Sequence, residues 1–274
     1  MDTYTKKERN MYLIGLMGQN VIYNIIATGM VFYFQSVIFI PAIAISVIMG
    51  VARIWDAVND PMMGTIVDRT RTKWGKCRPY LFFVPGIVMI TTFLTFVNGQ
   101  YSVANSAKTN AIIIGWAAFS YILWGMTYTA GDIPIWGITS LMTESEKDRA
   151  GILSLARIVA GIAGALILLT IVPISQSVGA AFTANGMSES KGLQWGFIVV
   201  CGVITVIGSL MFQCAAFAKE RVEQPSDEHK GFIDNVKIMW ACKPFRRILI
   251  SGVLKAPLQL LLGIAMTLMS YYYG

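Results

Sequence analysis

Apolar runs long enough to cross a bilayer alternate with short polar connectors along almost the whole chain. A spanning helix needs about 20 mostly apolar residues, and seven stretches meet that length: 11–36, 41–67, 80–98, 110–135, 151–174, 194–218 and 247–273. The pattern predicts an all-α integral membrane protein. The first six spans are expected to form one transmembrane bundle over 1–218. A cytoplasmic linker follows over 219–246, and 247–274 supplies the first helix of an incomplete second bundle. The end at "SYYYG", without a polar tail, is read as a truncation.

The connectors alternate in charge. Lys6, Lys7 and Arg9 precede the first span; Arg69, Arg71, Lys73, Lys76 and Arg78 separate the second and third; Lys147 and Arg149 separate the fourth and fifth. The 219–247 connector is also strongly basic, whereas the other connectors carry only Lys108 and Lys191. Positive residues collect on the cytoplasmic side of membrane proteins, so the N-terminus is predicted to be cytoplasmic and the protein to be a multi-pass protein of the cell membrane. Within the long connector, Phe232, Ile233, Val236, Met239 and Trp240 share one helical face, which predicts a short amphipathic helix on the membrane surface. His229 is read as a solvated side chain of the same connector.

Composition narrows the function classes. Of 274 residues, 55% are hydrophobic and 14% charged, against about 25% charged in soluble domains. The formal charge of +7 lies in loops between apolar runs, which is topology rather than a nucleic-acid-binding face. The N-terminus is polar, and the first apolar run is too long for a signal peptide's core. Cys77, Cys201, Cys214 and Cys242 fit no metal spacing and are expected to be free thiols. No nucleophile–base pair or phosphate loop stands in the loops, so an enzyme is not expected, nor a bound cofactor other than a coupling ion.

Arg53, Asp56 and Asp60 interrupt the second span at three- and four-residue spacing, which stacks them on one helix face. Each charge at the bilayer centre costs about 2.5–3.5 kcal/mol on insertion scales. The stripe is therefore expected to face a bundle interior, with Arg53 offsetting one carboxylate and a bound cation balancing the other. Sodium suits oxygen ligands at Asp56 and Asp60; protonation of one aspartate serves equally, and the residues do not choose. The fourth span carries a matching set in "YILWGMTYTAGDIPIWG": Thr129, Asp132 and Trp136 on one face, with Tyr128 one turn before Asp132. A carboxylate beside an aromatic ring suits a sugar, the acid accepting hydroxyl protons and the ring stacking on C–H groups. Pro134 removes a backbone donor beside them. Arg157 in the fifth span and Lys255 in the seventh each either line a cavity or reach back to the surface, and "GIAGA" (161–165) predicts close helix packing.

Together, "RIWDAVNDPMMGTIVDRTRTKWGKCRP" and "YILWGMTYTAGDIPIW" resemble the glycoside–pentoside–hexuronide:cation symporters, the melibiose-carrier family of the major facilitator superfamily. The resemblance runs from about residue 10 to the end, covering the N-terminal six-helix bundle and helix seven. It implies an alternating-access transporter that couples sugar or glycoside uptake to Na+ or H+. It also implies a cation site at Asp56, Asp60, Asn59 and Thr129, and a sugar site at Asp132, Trp136, Tyr128 and Arg157. Where the family has an acid on helix one this chain has Asn20, preceded by Gln19; an amide still bonds hydroxyls, and the change leaves room for a pentoside, another glycoside or a uronide. Gly64–Arg78 resembles the superfamily's cytoplasmic gating motif, which implies that Asp68 with Arg69 and Arg71 forms ion pairs holding the two halves together in the outward-open state; plain positive-inside charge accounts for the same residues, and the two readings are compatible. The expected partners are a small sugar, the coupling cation and the lipid bilayer. The alternative reading is a half-transporter or membrane fragment that does not transport alone.

Overall fold

The computed structural model describes residues 4–222 and, beyond them, 240–244, 246–247 and 250–251. The seventh span with Lys255, His229 and nearly all of the amphipathic helix fall outside the described residues. Among the described residues six long helices carry the fold, each long and apolar enough to cross a membrane.

Helix α1 (Lys6–Asn24) starts five residues before its apolar run. Thr5 and Glu8 form a reciprocal cap: the Thr5 hydroxyl accepts from the Glu8 N–H, and the Glu8 carboxylate accepts from the Thr5 N–H at 2.8 Å. Past Asn24 the helix widens into π-helical turns, Ile25–Met30 and Tyr33–Val37. Helix α2 (Ala42–Arg69) follows Pro41, and α3 (Arg78–Phe96) has proline in its first turn, where a missing N–H costs nothing. Helices α4 (Ala107–Met142), α5 (Glu146–Ala184) and α6 (Glu189–Gln213) complete the bundle, α6 ending in a 3-10 turn at Cys214–Phe217.

The apolar runs of α4 and α5 understate their lengths. Ser106 and Ser145 cap each helix by accepting a backbone N–H of the first turn, so each begins before its apolar residues do. The 36 residues of α4 rise about 54 Å at 1.5 Å per residue, well beyond a hydrocarbon core of about 30 Å.

The packing carries a repeat that the letters do not show. Helix α3 packs on α4 as α6 packs on α1; α2 packs on α4 as α5 packs on α1; α3 and α6 face each other. Advancing each helix by three places exchanges these pairs, and because neighbouring helices alternate in direction the two triplets are inverted. One pair breaks the rule: α5 packs extensively on α6, and α2 has no comparable contact with α3. Helix α2 consequently leaves Ile43, Val47, Ile54 and Val58 exposed.

Glycines set the tightest approaches. A Cβ on Gly18 would lie 2.3 Å from the Gly208 carbonyl oxygen, joining α1 to α6, and one on Gly196 would lie 2.3 Å from the Ser175 carbonyl oxygen, joining α6 to α5. The close packing expected at "GIAGA" is not where the helices meet most closely: nothing lies within 4 Å of a Cβ on Gly161, and Gly164 meets only the Asn24 side chain. Gly18→Ala is expected to force α1 and α6 apart and to destabilise the protein by about 1–3 kcal/mol. A fall in the unfolding temperature of detergent-solubilised protein reads this out, and an unchanged temperature would contradict the close approach.

The two ends of the bundle sort the connectors as the charges do. At one end Arg221 holds the Glu8 carboxylate at 2.8 and 2.9 Å, its N–H donates to the Leu141 carbonyl at 2.7 Å, and Glu220 accepts the N–H groups of Lys76, Cys77 and Arg78 at 2.7–3.1 Å. The basic connectors thus meet there. At the other end Tyr101 N–H reaches the Ile38 carbonyl at 2.8 Å, and the Gln100 side chain reaches the Ser190 carbonyl at 3.0 Å. Residues 219–222 therefore belong with the bundle rather than with a free linker beginning at 219, and the compact unit runs Met1–Gln224. Pro225–Gly274 forms a second unit. The four cysteines are free thiols, as expected; burial, then the Glu220 charge, pushes the Cys77 thiol up to about 12.

Candidate functional site

An open cavity of about 230 Å³ lies among α1, α2 and α4. Its wall includes Tyr23, Arg53, Asp56, Asp60, Tyr121 and Asp132. The acidic side chains of the second and fourth spans thus share one hollow, where water or a solute can meet their charge.

On α2, Arg53 Nη1 lies 3.5 Å from Asp56 Oδ2, with the arginine side chain 67% and the aspartate 31% exposed. This is a loose pair that leaves Asp56 open to the cavity. One turn further on, Asp60 Oδ1 accepts from the Thr129 hydroxyl at 3.1 Å, which ties α2 to α4. Asp56, Asp60 and Thr129 all line the cavity. Asn59 does not. It is 3% exposed, and its amide nitrogen has no hydrogen-bond partner among the described residues. Asn59 follows Asp56 by three residues, about 60° round the helix from it, and of the four expected cation-site residues it is the one that does not line the cavity.

On α4, three donors converge on a single oxygen, Asp132 Oδ1. Gln19 Nε2 donates at 2.5 Å, Trp136 Nε1 at 3.1 Å and the Tyr128 hydroxyl at 3.4 Å. Gln19 Nε2 also donates to the Tyr128 hydroxyl. The Arg157 guanidinium carbon sits 6.0 Å from the centre of the Trp136 ring, within cation–π range. Asn20, expected to contact the sugar, makes none of these bonds. Its amide donates to the Leu16 carbonyl at 3.0 Å and to Gln19 Oε1 at 2.7 Å, so it supports Gln19. The helix-one residue that touches Asp132 is Gln19.

An aromatic ladder extends this cluster. Tyr121 stacks on Trp124 at 6.4 Å, Trp124 on Tyr128 at 4.8 Å, and Tyr23 of α1 leans on Tyr128 at 5.6 Å. Trp124 Nε1 donates to the Thr92 hydroxyl at 3.0 Å, fixing the ladder to α3. Tyr121, Trp124 and Tyr128 stand at i, i+3 and i+7, a spacing that the sequence carries but that reads equally as core.

At the basic end, Asp68 pairs with Lys76 at 2.5 Å, not with Arg69 or Arg71. Arg71 donates to the Asp68 and Thr70 carbonyls at 3.0 and 3.3 Å, and among the described residues neither arginine forms an ion pair with Asp68. The reason is local geometry: Arg69 follows Asp68 directly, Arg71 folds back onto the helix end, and the turn at Thr72–Gly75 returns Lys76 to the carboxylate.

Residues 11–274 match the family model for MFS/sugar transport proteins. The chain belongs to that family. It bears out the resemblance carried by helices two and four, and it makes the fold that of a major facilitator bundle in a multi-pass membrane protein. Family members include the uncharacterized symporter YnaJ of Bacillus subtilis, 31% identical over 83% of this chain and 46% of that protein. The inner membrane symporter YicJ of Escherichia coli is 30% identical over 80% of this chain and 44% of its own. The isoprimeverose transporter of Lactiplantibacillus pentosus is 30% identical over 79% and 42%. The relatives are named as symporters, permeases and transporters, so the family is one of transporters and not of enzymes. The chain spans less than half the length of these curated relatives.

Proposed function

We propose that this chain carries the cation and sugar sites of a symporter that moves a sugar or glycoside with Na+ or H+ by alternating access. The observation that supports this most is the meeting of two different acidic sites in one cavity. Asp56 and Asp60 with the Thr129 hydroxyl offer hard oxygens to a cation. Asp132, flanked by the Trp136 indole and the Tyr128 ring, offers an acceptor and an aromatic surface to a polyol. The formal charge at the cavity, three carboxylates against Arg53, is negative before a cation enters. A cation that relieves it raises sugar affinity, and sugar raises cation affinity by the same factor.

The basic end of the bundle, with Lys6, Lys7, Arg69, Arg71 and Lys147, is read as cytoplasmic. Relatives named for lactose and isoprimeverose support a small saccharide as cargo. The test is uptake of labelled pentosides, hexosides and uronides by cells producing the complete gene product, with and without an imposed sodium gradient and across a pH gradient. Gradient-stimulated uptake of at least one saccharide is expected. Equal uptake by producing and control cells for every saccharide would overturn the reading.

A further inference from the structure

Asp132 is held in an unusual way. Every hydrogen bond that the described residues give its carboxylate goes to Oδ1, and Oδ2 receives none. The shortest comes from Gln19, which is 2% exposed and bonded at both ends of its amide. Its orientation is settled by chemistry. An ionised carboxylate only accepts, so the NH2 group must face Asp132, and Oε1 is left to accept from Asn20. Gln19 therefore pins the carboxylate without bringing any charge to it.

We propose that Gln19 is a positioning residue that holds Asp132 with one oxygen saturated and the other free for a substrate hydroxyl, and that its neutrality tunes the site to uncharged glycosides over hexuronides. The inference rests on the symport reading above and refines its cargo. Two features carry it. First, a carboxylate with one free oxygen and an adjoining aromatic ladder accepts a hydroxyl while the ring stacks; it gives a second carboxylate no donor. Second, among the described residues the charged groups at the cavity are Arg53, Asp56, Asp60 and Asp132, and the arginine lies nearest Asp56. Arg157 is turned to the Trp136 ring. A uronate placed at Asp132 would meet like charge and an amide already committed to the protein's own acid.

The test compares a methyl glycoside with the corresponding methyl uronide, which differ only in a hydroxymethyl and a carboxylate. Affinity is read twice in cells producing the complete gene product: as KM for uptake, and as displacement of labelled glycoside from their membranes. The wild type is expected to bind the neutral compound and to ignore the uronide. Gln19→Ala removes the donor and is expected to weaken neutral-glycoside affinity by about tenfold to a hundredfold, read per molecule of carrier present in the membrane. Gln19→Lys keeps a donor near Oδ1 and adds a positive charge. It is expected to recover most of the neutral affinity and to admit the uronide as a competitor. Unchanged affinity in Gln19→Ala, loss of protein without a change in the affinity of what remains, or equal competition by the uronide in the wild type would each overturn the inference while leaving the symporter reading intact. Absence of any saccharide uptake by the wild type would overturn that reading and this inference with it.

Discussion

Asp132→Asn is expected to lower sugar affinity by about tenfold to a hundredfold while leaving the protein folded. The isostere keeps an oxygen where Gln19, Tyr128 and Trp136 donate, so the local network survives. It replaces the free oxygen by an NH2 group, which donates and cannot accept. A hydrogen bond to a charged group contributes about 1.5–3 kcal/mol, and each 1.4 kcal/mol is a factor of ten. Asp132→Ala is expected to do more, because it also leaves the buried Gln19 amide without its carboxylate. That adds about 1–3 kcal/mol of destabilisation, seen as a lower unfolding temperature. The pair of variants separates binding from folding: wild-type affinity in Asp132→Asn would remove this residue from the sugar site.

Asp60→Asn is expected to abolish stimulation of uptake by the coupling cation. Arg53 sits 3.5 Å from Asp56 and offsets part of its charge, whereas Asp60 has the Thr129 hydroxyl at 3.1 Å and no ion-pair partner among the described residues. Asp60 therefore holds the less compensated charge, and the asparagine removes it at constant shape. The ratio of uptake with and without the cation gradient should fall to about one, a loss of the 5- to 150-fold coupling typical of linked sites. Asp56→Cys is expected to reduce the ratio in the same direction, by less in proportion to its partial pairing with Arg53. A ratio equal to the wild type's in both variants would place the cation elsewhere.

The charged stripe on α2 was legible in the sequence because ionisable groups in an apolar span have few bland explanations. The same holds for Asp132, and the alternation of basic connectors foretold which loops meet at each end. Gln19 was not legible in that way. An amide on helix one carries little signal, and whether residue 19 or 20 faces α4 depends on the rotation of α1. That rotation is set at a distance, by Gly15 pressing on Ala215 of the 3-10 turn and Gly18 on Gly208 of α6. Asn59 shows the same limit: its spacing from Asp56 and Asp60 does not say whether its side chain reaches the cavity, and it is buried without lining it. The Asp68–Lys76 pair required a turn geometry that charge spacing alone does not supply. The helix ends of α4 and α5 escaped because hydropathy measures the part in the bilayer, while serine caps decide where helices begin.

The proposed symport requires that the ion and the polyol occupy one shared hollow and feel each other's charge. The most direct test is a thermodynamic cycle on the purified complete gene product. Affinity for a transported glycoside is measured at low and saturating sodium, and sodium affinity with and without the glycoside, with pH varied in place of sodium if sodium has no effect. The two affinities are predicted to rise by the same factor, at least fivefold in each direction. A factor of one in both directions, with each ligand binding well on its own, would show two independent sites and contradict the claim.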